Sequence, residues 1–151
     1  MSLDGKTVLI TGAALRIGRS LALAVAQAGG NVVLHYGKSR KDAESLQAEI
    51  EATGRKAFIL QADLVDSAQA AALIDRAREH SPLFALVNNA SVFEPHGWAD
   101  TSLELWNRSL AVGQAQERRS KQTSGRFMRL AISAAYSRAW LKATRRFQRH
   151  Q

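Results

Sequence analysis

The strongest constraint on this chain is an alternation. Short, nearly continuous apolar runs rich in β-branched residues are separated by longer stretches in which apolar residues recur every three or four positions. Thr7 to Thr11 reads TVLIT and runs into Gly12, the pattern of a strand buried on both faces. Asn31 to His35, Lys56 to Gln61 and Ala85 to Asn88 repeat that character. Between them, Ile17, Leu21, Val25 and Ala28 form a helical stripe that stops at Gly29 and Gly30. Ala43, Leu46 and Ile50 mark a second helix closing near Gly54, and the Ala-rich stretch from Ser67 to His80 marks a third, halted before Pro82. Parallel strands need crossovers of this length, so the expected fold is α/β, a Rossmann-like doubly wound parallel sheet with helices on both faces.

Charge divides the chain in two. Residues 1–112 carry a net charge of −1, whereas residues 113–151 carry +9, giving the overall +8. The expected organisation is therefore a folded α/β unit over residues 1–112 and a separate basic tail over 113–151. No apolar run approaches bilayer length, and Asp4 stands where a signal peptide would have a basic flank, so neither membrane insertion nor export is expected. With no Cys in the chain, disulfides and thiolate chemistry are excluded, and a cytoplasmic location is the expectation. His80, His96 and His150 lack ligand-spaced neighbours, so no metal site is expected. Trp98, Trp106 and Trp140 do not space as a base-stacking platform, which argues against a nucleic-acid partner.

The first strand leads into Thr11, Gly12 and three residues that precede Arg16, Ile17 and Gly18, where the first helix opens. A helix N-terminus offers unpaired N–H groups and partial positive charge, so a glycine turn there suits a pyrophosphate. An ordinary strand-to-helix turn needing glycine is the alternative. An acid at the end of the second strand would accept the ribose hydroxyls of NAD. The segment instead reads His35, Tyr36, Gly37, Lys38, Ser39, Arg40, basic and hydroxylated, which favours the 2′-phosphate of NADP. Ser39 is also placed to cap the helix that follows.

Taken together, these residues resemble the short-chain dehydrogenase/reductase family, whose loop reads Thr-Gly-x3-Gly-x-Gly and whose fourth strand ends in Asn-Asn-Ala-Gly. Here Arg16 replaces the middle glycine, and the fourth strand ends Asn88, Asn89, Ala90, Ser91. Both features, with His35-Tyr36 and the run Gln61 to Leu64, resemble the pteridine reductase branch, including dihydrofolate and dihydromonapterin reductases. The resemblance runs from about residue 4 to 112. It implies that Asp63 bonds the adenine amino group, with Leu64 beside it, unless Asp63 is merely the acid that starts the next helix. It further implies that Asn88 braces the sheet and Ala90 lines the cofactor path. Ser91 and Arg16 would lie near the pterin and phosphates, and Phe93 would stack on the pterin unless it is a core or loop aromatic. The implied reaction is hydride transfer from NADPH to a pterin or small carbonyl compound.

Past Val112 the pattern is lost. The family's Tyr-x-x-x-Lys pair, which protonates the substrate and grips the ribose, does not occur: the fourth residue after Tyr136 is Trp140. This chain is therefore expected to be inactive by itself, to leave its fourth strand with an open apolar edge, and not to keep the family's homo-oligomer. The basic tail has the composition expected where a coding sequence is read out of register or cut short past codon 112. A basic amphipathic helix with Phe127, Leu130, Ala134 and Leu141 on one face, binding nucleic acid or an anionic surface, is one alternative, and a solvated basic end is the other.

Overall fold

In the computed structural model, residues 2–91 and the backbone of residues 128–131 are described. The element order is β1 (Thr7–Ile10), α1 (Arg16–Gln27), β2 (Asn31–Tyr36), α2 (Arg40–Glu51), β3 (Ala57–Gln61), α3 (Ser67–His80), β4 (Leu83–Asn88) and β5 (Met128–Ala131). The sheet order is β3-β2-β1-β4-β5 and every pairing is parallel. The chain walks outward from β1 to β3, then crosses back through α3 to lay β4 on the other side of β1. That reversal makes the gap beyond the C-terminal ends of β1 and β4 a topological switch point, where open α/β sheets bind ligands.

Both faces of the sheet are covered, as the continuous apolar strands require. Val8, Ile10, Val32 and Leu34 pack with Ala22, Ala26, Leu46 and Ile50 of α1 and α2. Leu9, Val33, Leu60 and Leu86 pack with Leu73, Ile74 and Ala77 of α3 on the opposite side. An Arg19–Glu49 ion pair links α1 to α2 at the surface.

α1 ends at the expected glycines. Gly29 has φ +90°, and the Gly29 and Gly30 N–H groups return to the Ala26 and Val25 carbonyls, a Schellman stop. The inner face of α1 differs from the expected stripe. Gly18, Ala22 and Ala26 are buried, Leu21 and Val25 are half-buried, and Ile17 and Ala28 are exposed. The fully buried positions of α1 are small residues, and Leu21, Leu23 and Val25 pack against the same core from partly buried positions.

The sheet does not stop at β4. Met128–Ala131 pairs in parallel with Ala85–Asn88, so the expectation of an open β4 edge is corrected. The same residues are extended, so the amphipathic helix expected through Leu130 does not hold there. Their backbone satisfies the edge hydrogen bonds of β4 irrespective of side-chain charge. Among the described residues, no helix is long and apolar enough to cross a membrane.

Candidate functional site at the carboxyl edge of the sheet

Because all strands are parallel, their carboxyl ends and the turns that follow lie along one edge. The β1–α1 turn is fixed there by β4. Thr11 is fully buried; its hydroxyl oxygen accepts the Asn89 and Ala90 N–H groups at 2.9 and 3.0 Å, while its own N–H donates to the Val87 carbonyl at 3.0 Å. Asn89 returns the contact, its side-chain amide donating to the Thr11 and Gly12 carbonyls at 3.0 and 3.1 Å. Asn89 thus braces the turn against the end of β4, where its neighbour Asn88 is buried.

The two glycines of the turn are required by this packing. Gly12 has φ +63°, and a Cβ there would stand 2.8 Å from the Ala90 Cα. A Cβ on Gly18 would stand 2.1 Å from the Gly12 carbonyl oxygen and 2.7 Å from the Asn89 amide nitrogen. Neither position tolerates a side chain without moving the backbone around it. Between them, Arg16 has φ +52°, in the left-handed region that costs a non-glycine residue about 1–2 kcal/mol. Leu15, Arg16 and Ile17 are all exposed, and helix geometry leaves the first-turn N–H groups of α1 without intrahelical acceptors.

The other expected residues divide into those at the surface of this edge and those beneath it. Lys38 is exposed in the β2–α2 turn and Arg40 is exposed at the first position of α2, with Ser39 half-buried between them. Ser39 occupies the N-cap position of α2 but makes no side-chain cap bond, so its hydroxyl is not committed to the helix. The Arg40 guanidinium is 2.7 Å from Glu44, whose hydrogen bond and charge push its pKa further up. Asp63 is exposed after β3, its carboxylate accepting the Val65 N–H at 2.9 Å. It is not the acid that starts α3. That role belongs to Asp66, whose Oδ1 accepts the Ala68 and Gln69 N–H groups at 2.9 and 3.1 Å and whose pKa is lowered by the Gln69 side-chain amide and by those backbone bonds. The Leu64 side chain lies in the α3-side core, which leaves only its backbone to a ligand. Ala90 is half-buried and Ser91 exposed beside the brace, whereas Phe93 lies outside the described residues.

His35 departs most from the expectation of a cofactor contact. It is 2% exposed, and its ring is held between Gly12 and Ala62, inside the turn and away from its surface. Sequence reasoning also passed over Leu15 and Val65, which with Ile17 are the exposed large apolar residues among those described, at 46%, 37% and 48%. All three follow β1 or β3 at this edge. Their signal was a large apolar residue in a turn. No group of acids, His or Cys able to hold a metal occurs among the described residues.

A parallel sheet with a switch point, a glycine turn opening the first helix, and cations beside exposed apolar side chains define a dinucleotide-binding α/β protein. The chain belongs to the short chain dehydrogenase family, which matches residues 6–115. It is 36% identical over 111 residues to an L-rhamnose 1-dehydrogenase (NAD(P)(+)) of Sphingomonas, an alignment covering 73% of this chain and 44% of that enzyme. Two solved structures each cover 80% of this chain and 50% of the other. A short chain dehydrogenase from Burkholderia cenocepacia in complex with NADP has a TM-score of 0.75 and 35% identity. The FolM alternative dihydrofolate reductase 1 from Brucella canis, complexed with NADP, has a TM-score of 0.71 and 29% identity. The chain therefore spans about half the length of these relatives.

Proposed function

We propose that this chain binds NADP(H) along the carboxyl edge of its sheet and supplies the cofactor half of a reductase acting on a pterin or small carbonyl compound. The observation that carries the reading is Arg16, a cation kept in a left-handed conformation where glycine would be relaxed, on the edge that also bears Lys38, Ser39 and Arg40. A backbone cost of this kind is retained where the side chain has work to do. No acid occupies the end of β2 to select the ribose diol of NAD.

The residues fit the group. Arg16, Lys38 and Arg40 would hold phosphates, the uncommitted Ser39 hydroxyl would donate to the 2′-phosphate, and Asp63 would accept the adenine amino group. Leu15, Ile17 and Val65 would cover the flat, apolar parts of the cofactor. Bound NADPH supplies the hydride. The pterin assignment rests on Arg16 and on Asn88 to Ser91, with the likeness to the Brucella enzyme in support.

Proton delivery is a separate matter. Of the two tyrosines in the chain, Tyr36 is buried against Ala14 and Ala43, and neither Tyr36 nor Tyr136 has Lys at its fourth following residue. These 151 residues are therefore expected to bind NADPH without reducing dihydrobiopterin or dihydrofolate, and oxidation of NADPH on adding either would contradict that. A chain without Cys suits the cytoplasmic location proposed with it. Replacing Arg16 and Arg40 together with Ala should weaken NADPH far more than NADH in equilibrium titrations. Equal weakening would mean that the 2′-phosphate is not read at this edge.

A further inference from the structure

His35 receives two consecutive amides of the β1–α1 turn. The Gly12 N–H donates to its Nδ1 at 3.1 Å, and the Ala13 N–H donates to its backbone carbonyl at 2.9 Å. On the far side of the ring, Nε2 lies 3.1 Å from the Ala62 carbonyl oxygen. A backbone N–H can only donate and a carbonyl can only accept. Nδ1 must therefore be bare and Nε2 must carry the hydrogen, so these contacts select one neutral tautomer.

The ring spans two turns that face the same edge. Gly12 leads to Arg16 and Ile17, and Ala62 directly precedes Asp63. Removing the ring would leave an inward-facing N–H and a carbonyl without these partners, and a buried polar group left unpaired destabilises the turn that holds it. With the Gly12 and Ala13 amides turned inward, the turn presents its later residues, Leu15 to Ile17, to the edge.

We propose that His35 is a positioning residue for the cofactor. It does not touch NADP(H); its Nδ1 fixes the pose of the Gly12 turn, while its Nε2–H anchors the ring on the Ala62 carbonyl. The inference rests on the cofactor reading above and gives it a further determinant.

The two halves of the ring can be replaced separately. Asn places an amide oxygen at the covalent position of Nδ1, so H35N keeps an acceptor for Gly12. Gln places an amide nitrogen at the position of Nε2, so H35Q keeps the donor to Ala62 and loses the acceptor. The test titrates the 151-residue chain and both variants with NADPH, alongside thermal melting and ring ¹⁵N spectra of the parent. The parent ring should be neutral with the proton on Nε2. H35N should bind NADPH within about threefold of the parent and H35Q should be weaker by about tenfold or more, with similar losses in melting temperature. Equal loss of binding in both variants, tracking their melting, would reduce His35 to a structural residue and overturn the proposal. So would a parent ring protonated on Nδ1, a result that decides even if neither variant folds. A parent that fails to bind NADPH would remove the cofactor reading and this inference together, and is thereby distinct from a binding parent with indistinguishable variants.

Discussion

The β1–α1 and β2–α2 turns occupy the same edge of the same sheet, and both carry residues assigned to the cofactor, yet they are built in opposite ways. In the first, the Thr11, Gly12 and Ala13 N–H groups are all taken up by β4 or β2, and two glycines let backbone approach where a Cβ would collide. In the second, Lys38 and Arg40 are exposed, Ser39 makes no cap bond, and the notable restraint is an ion pair between Arg40 and Glu44 on one exposed helical turn. The contrast separates two tasks. A turn that presents backbone must be held rigidly, because a backbone group has no rotamers with which to adjust. A turn that presents long cationic side chains can stay loosely tied, and its residues can change to suit a different cofactor at little cost to the fold.

The largest test of this division is Gly18→Ala. The added methyl would collide with the Gly12 carbonyl and the Asn89 amide, so a loss of about 3 kcal/mol or more is expected by denaturant titration. A loss below about 1 kcal/mol would mean that the first turn yields easily and that the contrast is false. Arg16→Gly should split fold from function. Relief of the left-handed strain should raise stability by up to about 1 kcal/mol, while NADPH affinity falls about tenfold. A variant that loses both would place Arg16 in the fold.

Smaller effects sharpen the second turn. Glu44→Gln releases Arg40 from its carboxylate partner and removes a negative charge beside the proposed 2′-phosphate position. NADPH binding should tighten about two- to fivefold while NADH binding is unchanged, as suits an exposed pair. The third turn, β3–α3, adds a capped case. Asp66 has its carboxyl pKa held below the ordinary 3.8 by the Gln69 side chain and the Gln69 and Ala68 N–H groups. A depressed folded pKa contributes stability that is present above the unfolded value and is lost as pH falls through the folded one. Asp66→Asn should therefore flatten the loss of stability below about pH 4, and an unchanged acid limb would show that this cap contributes nothing measurable.

The legible parts of this molecule were those that local pattern dictates. Strand residues buried on both faces are continuously apolar, so β1 and β2 were readable, and α3 was found with its full span. The inner face of α1 misled because Leu21 and Val25 outweigh Gly18, Ala22 and Ala26 in any hydrophobic count, although the fully buried positions are the small ones. β5 was hidden for a different reason. A four-residue strand among Arg126, Arg129 and their neighbours carries a charge signal that masks it, and its pairing with β4 depends on backbone groups that every residue has.

At the site, the positions of Thr11, Gly12, Gly18 and Asn89 were legible from motif spacing. Their reasons were not, because contacts such as Asn89 to Gly12 join residues far apart in the chain. His35 was read as a cofactor contact, and the structure shows its ring buried between Gly12 and Ala62. Its sequence neighbours say that it belongs to a strand end, and only the third dimension shows the ring passing beneath the loop to Ala62. Asp63 moved the other way. The sequence left it open between cofactor contact and helix start, and the cap bonds of Asp66 remove the second option.

The most direct test is an equilibrium titration of the 151-residue chain with NADPH and, separately, with NADH. Saturable one-to-one binding, tighter for NADPH by about tenfold or more, is the expected result, since one charge-assisted contact to the 2′-phosphate suffices for that margin. No saturable binding, or equal affinity for the two, would contradict the assignment of this edge to NADP(H).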